Sequence, residues 1–537
     1  MTDTQFDYVV AGGGTAGCVL AARLSEDPSV SVCLVEAGPT DVGDKAILEL
    51  AEWMHLLDSG YDWDYPVEPQ ERGNSFMRHA RAKVLGGCSS HNSCIAFHPP
   101  AETLDDWAAA GATGWGASDI LPFVARVENN DTGRGQAGPV RIRDVPPGDP
   151  CGAAVLESAA GVGLPTVAFN RGTTVLNGAG WFQINAGEDG QRMSTSHAYL
   201  HPIIGTRPNL EVRTDCWISE ILIDESLTAT GVRYQRPDLT GYDTVSARRE
   251  VIVTAGAIDT PKLLMLSGIG PAAQLQEMGI TVRVDSPGVG ENLDDHVEGL
   301  VFWEASKPMA TTSSQWWEIG VFAQTDASLN YPDIMMHYGS VPFDMNTLRW
   351  GYPTTDNGFC LTPNVTQGRS RGTVRLRSRV LSRSGQGGSA LLHRPRRPRR
   401  RRDARRSEAG SQNCCGRPAR GMDRTRTGTR ARCGDRRGPA RLRAQDAQHG
   451  LSPGGNGADG VGGRRHGRTG SRTSSEGNLT STRRRRVGDA EAPVRQSQHH
   501  RHDHGGEMRR PDPWRIDRRR RNFSVSTHLS RARHPKL

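Results

Sequence analysis

The feature that most restricts the fold lies near the amino terminus. A short apolar run, Phe6–Ala11, enters the turn Gly12-x-Gly14-x-x-Gly17, which opens an Ala/Leu stretch spaced like a helix up to Asp27; a second apolar run follows at Val30–Val35. A period that switches from strand-like to helix-like and back describes a β-α-β unit. Glu36 closes the second strand, 19 residues past Gly17. Glycines permit a tight turn and close backbone approach, the helix N-terminus attracts a pyrophosphate, and a distal acid accepts ribose hydroxyls. A glycine triplet alone also suits a plain loop. Strand, helix and acid together select dinucleotide binding.

A second unit starts with the apolar strand Glu250–Thr254, passes Gly256-Ala257 and continues as the amphipathic run Pro261–Leu266, closed by Gly268. Pro261 is expected in the first helical turn, where a missing N–H is harmless. Residues 151–212 and 300–380 alternate short apolar runs with Gly, Pro and Asn, which predicts an antiparallel sheet woven into the first unit. With 537 residues the chain is long enough for two or three domains.

Composition breaks late in the chain. The net charge of +8 hides 27 Lys+Arg against 46 Asp+Glu in residues 1–380 and 40 against 13 in residues 381–537. The second segment holds 39 Arg, one lysine (Lys536) and, His aside, only Trp514 and Phe523 as aromatic residues. Such a segment can hardly build an ordinary core and is expected to be disordered. Runs such as Arg399–Arg402 and Arg483–Arg486 have the footprint of a nucleic-acid-binding tail, so a basic nucleic-acid-binding protein is the alternative of a different class. No nucleic-acid motif beyond charge accompanies them, and no specific nucleic-acid partner is expected.

The chain opens MTDTQFDYVV straight into a strand, with neither a signal-like segment nor an apolar run of about 18 residues, which predicts a cytoplasmic protein without membrane association. Ten cysteines lack zinc-type spacing, and Cys414-Cys415 is too close for a metal knuckle. They read as reduced thiols, and no metal is assigned.

A further motif is the basic, glycine-rich loop Arg81–Ser93, which contains Gly86, Gly87, His91, Asn92 and Ser93. Such a loop could cradle a phosphate, lie along a flavin ring or form a solvated turn. From chemistry alone His91 is equally a ligand contact or a structural histidine.

The runs HARAKVLGGCSSHNSCIAF (His79–Phe97) and GAIDTPKLLMLSGIGP (Gly256–Pro271) resemble the two signatures of the glucose-methanol-choline (GMC) oxidoreductases. GGCSSHNSCIAF and MMHYGSVPFDMNTLRWGYPTT (Met335–Thr355) are similar to the choline-oxidising members in particular, and the similarity runs from Phe6 to about Arg379. One departure is His98, where those members carry Trp.

The resemblance implies an α/β fold in which an FAD-binding Rossmann-like domain (1–150 and 212–298) interweaves with an antiparallel-sheet substrate domain (151–211 and 299–380). It implies FAD as cofactor, contacted by Gly12, Gly14, Gly17, Glu36, Gly86, Gly87, His91, Asn92, Ser93 and Ile218, with His91 bonded covalently to the flavin and Ser93 near its reactive nitrogen. Glu298, in DDHVEG, would hold the quaternary ammonium of choline; Trp53, Trp317 and Phe343 would supply aromatic faces, and His337 would hydrogen-bond the alcohol oxygen. The need for such a pocket follows independently, because a permanent cation without N–H donors is gripped by a carboxylate and π faces. Spacing alone cannot bring Trp53, Glu298 and Trp317 together, and Trp residues are equally core. The implied reaction takes choline to betaine aldehyde and glycine betaine, with oxygen reduced to hydrogen peroxide, in a homodimer. A quinone- or dye-linked GMC alcohol dehydrogenase is the alternative within the family.

The family's catalytic base is a histidine near the carboxyl end, followed by an asparagine in a second motif. The written chain has neither. Read one base later in each codon, DAQHGLSPGGNGADG (Asp446–Gly460) becomes compatible with THNTVYHPAGTVRMG, the histidine segment. Likewise VGDAEAPVRQSQHH (Val487–His500) becomes compatible with SVMPKLPSVNPNIT, the asparagine segment, and GGSALLHRPRRPR (Gly387–Arg399) with VDPRYFTDPDGHD. One shift restoring three segments in order predicts that frame was lost near Val380. The histidines His499–His504 are then an accident of the shift rather than a metal site. A chain made as written is expected to be inactive and poorly soluble, since apolar surface and sheet edges would lie open.

Overall fold

A computed structural model describes residues 4–70, 77–131, 135–172, 177–238, 240–309, 313–343, 345–379 and 390–393. The chain divides into the units Met1–Ala458 and Asp459–Leu537, and every described residue belongs to the first. The expectations for the Arg-rich segment, Cys414-Cys415 and His499–His504 fall outside the described residues. Only the strand Ala390–His393, paired antiparallel with Thr373–Leu376, is described beyond residue 379.

The first sheet runs Leu210–Arg213, Val32–Val35, Thr4–Ala11, Tyr242–Val253, Ala229–Gln235, Trp217–Ile223. Its first four strands are parallel and its last three form an antiparallel meander. Alternation sorts its side chains: Val10, Val32 and Leu34 pack with Cys18, Ala21 and Ala22 of the helix Thr15–Leu24, whereas Val9, Ala11, Cys33 and Val35 share a cluster with Leu263 of the helix Gly256–Leu266. Helices therefore cover both faces, and all four residues of Val32–Val35 are buried.

Several boundaries differ from the sequence-based ones. The first helix stops at Leu24, where the Ser25 hydroxyl turns back to the Ala21 carbonyl (2.7 Å). The second strand begins at Val32 rather than Val30. The strand that ends at Val253 begins at Tyr242: its outer part, largely polar and with Val245 its buried residue, pairs antiparallel with Gly231–Gln235. The helix after it starts at Gly256, whose φ of +81° turns the chain directly off the strand, so Pro261 lies inside the helix and not in its first turn.

The second sheet is antiparallel, as expected, in the order Val297–Glu298, Gly358–Val365, Ile334–Gly339, Ile319–Ala323, Gly178–Trp181, with Val301–Glu304 also on Gly358–Val365. Leu210–Arg213, in the first sheet, crosses the expected division after residue 211, and Val297–Glu298, in the second sheet, lies just before the expected division after residue 298. Part of the stretch expected as sheet is instead the helix Pro150–Gly161, started by Pro150 and by the Asp149 carboxylate, which accepts the Cys151 N–H (3.0 Å). Among the described residues no helix is long and apolar enough to cross a membrane.

Candidate functional site

The glycine turn is built as its spacing demands. Gly12 has φ +113°, and a Cβ there would lie 2.7 Å from the Thr254 carbonyl oxygen; a Cβ on Gly17 would lie 2.0 Å from the Gly12 carbonyl. Gly14 is different: the nearest atom to a Cβ would be 3.7 Å away, so space remains beside the helix start. That helix carries no acidic residue in its first turn and no side-chain cap on Gly14, leaving its positive end available to an anion. Gly86 donates its N–H to the Gly13 carbonyl (2.8 Å), and a Cβ on Gly87 would stand 2.7 Å from the Gly14 Cα. The two glycine-rich loops therefore touch and form one cradle.

Glu36 closes the cradle. It is buried and accepts the N–H groups of Gly13 and Gly38 (both 2.8 Å). Burial pushes its carboxyl up to about 7, against the pull of the Gly38 and Gly13 N–H groups. Cys216 donates to the Glu36 carbonyl (2.8 Å), which sets the strand containing Ile218 beside it. An uncapped helix start that attracts an anion, glycine walls and a buried acid fit the adenosine diphosphate part of FAD.

His91, Asn92 and Ser93 follow in the second loop, in a turn whose Gly86, Gly87 and Cys94 have positive φ (+89°, +55°, +59°). His91 and Asn92 both donate backbone N–H groups to the Cys88 carbonyl (3.2 and 3.0 Å), and Cys94 donates to the Asn92 side chain (3.1 Å). His91 and Ser93 are buried, and His91 Nε2 lies 3.9 Å from the Asp62 carboxylate, whose own pKa burial raises. His98, the departure from the family pattern, is buried against Glu128 (2.7 Å).

The aromatic residues converge from three segments. Trp53 lies 6.3 Å from Trp317 and 6.2 Å from Phe343, centroid to centroid, and Trp317 lies 6.1 Å from the His337 ring. Gln315, wholly buried, holds the Trp53 indole and the Trp317 backbone: its carbonyl accepts the Trp53 Nε1–H (2.9 Å) and its side-chain amide donates to the Trp317 backbone carbonyl. In the second sheet Glu298 stands opposite Asn364, Asn364 opposite Met335, and Thr362 opposite His337. Directly opposed residues and those two apart point to one face. Glu298 and His337 thus share a face, two strand spacings apart, on the order of 10 Å. Glu298 is buried, and His337 Nδ1 is 3.3 Å from the Thr362 hydroxyl. Burial, with His296 nearby, holds His337 down at about 4, so its ring is neutral near pH 7.

Sequence reasoning missed Gln315, Asp62 and Thr362, which lie outside both signature runs. It also missed His296, although that residue stands within DDHVEG beside Glu298.

Residues 6–298 match the family model described as GMC oxidoreductase. The chain is 59% identical over 386 residues to choline oxidase of Arthrobacter globiformis, a match that spans 71% of this chain and 70% of that protein. It is 35% identical over 402 residues to oxygen-dependent choline dehydrogenase of Sinorhizobium medicae (strain WSM419), covering 70% and 71%. The crystal structure of pyridoxine 4-oxidase from Mesorbium loti superposes with a TM-score of 0.66 at 28% identity, over 76% of this chain and 79% of that one. Glycine cradle, buried acid and sequence agree, and the chain belongs to the GMC oxidoreductases, FAD-dependent enzymes acting on CH–OH groups.

Proposed function

We propose that the enzyme this chain represents oxidises choline to betaine aldehyde and glycine betaine, with oxygen as electron acceptor and hydrogen peroxide as product. The observation that carries this reading is the grouping of Trp53, Trp317 and Phe343 beside a neutral His337, with Glu298 buried on the same sheet face. A quaternary ammonium offers no N–H donor, so π faces and one carboxylate are the groups that select it. A neutral imidazole adds no repulsion to a bound cation and can still hydrogen-bond an alcohol oxygen. The 59% identity to a choline oxidase supports the same substrate.

In this reading Gly12, Gly14, Gly17, Gly86 and Gly87 receive the pyrophosphate, and Glu36 and Ile218 hold the adenosine end. His91, Asn92 and Ser93 lie along the flavin, with His91 bonded to it. When bound, FAD supplies the two-electron acceptor for the hydride that leaves the carbinol carbon as the C=O bond forms. Glu298 and the three rings orient the ammonium, and His337 holds the oxygen. Segments 1–150 and 212–298 serve the cofactor, and 151–211 and 299–380 the substrate. The enzyme is taken as cytoplasmic and homodimeric, without a membrane or nucleic-acid partner.

The alcohol proton goes to a base, and the family's histidine and asparagine segments are readable only one base away from the written frame after Val380. We infer that the written chain is a frame-shifted form with impaired turnover. The test is paired: the chain as written and a version restored to the neighbouring frame after codon 380 are purified and assayed for bound flavin and for peroxide with choline or other primary alcohols. The restored enzyme is expected to release peroxide with choline, and the written chain to release none. Robust turnover by the written chain, or oxygen-independent oxidation by the restored one, overturns the corresponding part of the reading.

A further inference from the structure

Arg192 is a fully buried arginine whose bonded acceptors are carbonyls, a side-chain amide and a thiol. Its Nε donates to the Ile47 carbonyl (2.7 Å), and its Nη1 reaches the carbonyls of Ser89 (3.2 Å) and Asn92 (2.6 Å), the Asn92 side-chain oxygen (3.4 Å) and the Cys94 sulfur (3.3 Å). Its backbone N–H is bonded to the Leu48 carbonyl (2.8 Å), and its own carbonyl is held by His197 Nδ1 (2.8 Å). One side chain therefore ties together three segments distant in sequence. One carries Trp53 a few residues on, one is the turn with His91, and one is the strap around residue 192.

The turn has reason to need such a tie. Gly86, Gly87 and Cys94 all hold left-handed backbone conformations, and Cys94, having a Cβ, holds one at a cost. Conformations of this kind persist when surrounding bonds over-determine them. The carbonyls of Ser89 and Asn92 bracket His91, and a planar guanidinium meets both together with Ile47 from fixed directions. An ammonium on a flexible stem does not reproduce that fork. A buried cation is costly, and the carbonyls of Ile47, Ser89 and Asn92 offset that cost, so the guanidinium and the turn it bonds depend on each other.

We propose that Arg192 is a positioning residue: it holds the His91 turn in its strained form and sets that turn against the segment bearing Trp53, and so aligns the flavin with the cation pocket. This rests on the assignment of the His91 turn to the flavin, and the experiment separates the two. Hydrogen exchange is measured on the full chain and on Arg192→Met and Arg192→Lys, at the amides of His91, Asn92 and Cys94 and, for reference, through the strand Gly358–Val365. Flavin that stays on the polypeptide after acid precipitation, and its visible absorption band, are recorded in parallel.

The three turn amides of Arg192→Met are expected to exchange about tenfold faster or more, with the reference strand unchanged, and retained flavin is expected to fall by a similar factor. Arg192→Lys falls between the two, and it carries the test if the Met variant does not fold. Unchanged exchange in the turn overturns the proposal, and so does acceleration spread equally into the reference strand, which marks a merely structural residue. Faster exchange in the turn of a chain that never held flavin supports the positioning role, and if the frame-restored protein also holds no flavin the assignment of the turn to the flavin is removed.

Discussion

Replacing Glu298 by Gln isolates the charge on which the choline reading depends. The side chain is 5% exposed and shares its sheet face with Thr362, Asn364 and His337. A carboxylate about 5 Å from a quaternary nitrogen, at an effective dielectric of about 20, contributes about 3 kcal/mol. The carboxylate also loses hydration when the ligand covers it, which offsets part of that gain. A net loss of about 2–3 kcal/mol is expected for Glu298→Gln, or roughly 30- to 150-fold weaker choline binding. The assay titrates choline and 3,3-dimethylbutan-1-ol, in which a quaternary carbon replaces the nitrogen, into both proteins and follows intrinsic tryptophan fluorescence, to which Trp53 and Trp317 contribute. Choline should lose affinity by the stated factor, and the neutral isostere should change little. An equal loss for both ligands would refute the electrostatic argument, since the residue would then be shaping the pocket.

The glycines of the cradle should separate by function. Gly14→Ala has room for its Cβ and is expected to keep thermal stability but lose flavin, whereas Gly17→Ala, with its Cβ 2.0 Å from the Gly12 carbonyl oxygen, is expected to lose about 2 kcal/mol or more in denaturant melts. Glu36, raised in the fold to about 7, favours the folded flavin-free protein most below about pH 4.5, its unfolded range. That contribution, about 3 kcal/mol, should fade as pH rises to 7, and Glu36→Gln should flatten the slope of flavin-free urea melts between those pH values. With His337 held down at about 4, choline affinity should be level between pH 8 and about 5.5 apart from other groups; a loss centred near pH 6.5 that disappears in His337→Asn would show that the ring charges in its normal range.

The cradle was legible because its chemistry is local. Gly12, Gly14, Gly17 and Glu36 lie within one β-α-β unit, where a tight turn, a helix start and a strand end each impose a residue type at a given spacing. Strand and helix ends were less legible: the Ser25 back-bond that ends the first helix and the largely polar outer part of Tyr242–Val253 leave little trace in an apolar pattern. Pro261 looked like a helix start because proline favours that place, yet the positive φ of Gly256 had already begun the helix.

By itself, then, the order of residues determined the nucleotide turn, the alternation of sheet and helix around it, the family signatures and the change of composition after residue 380. Tertiary structure alone decided which tryptophans meet. Trp53 and Trp317 are neighbours because Gln315 bonds to both segments, and His337 faces the same side as Glu298 because of the register of two strand pairs. Arg192 gathers Ile47, Ser89 and Asn92 for a similar reason. Contacts across some 100 to 260 residues depend on how sheets and loops pack in three dimensions, and no local periodicity encodes them.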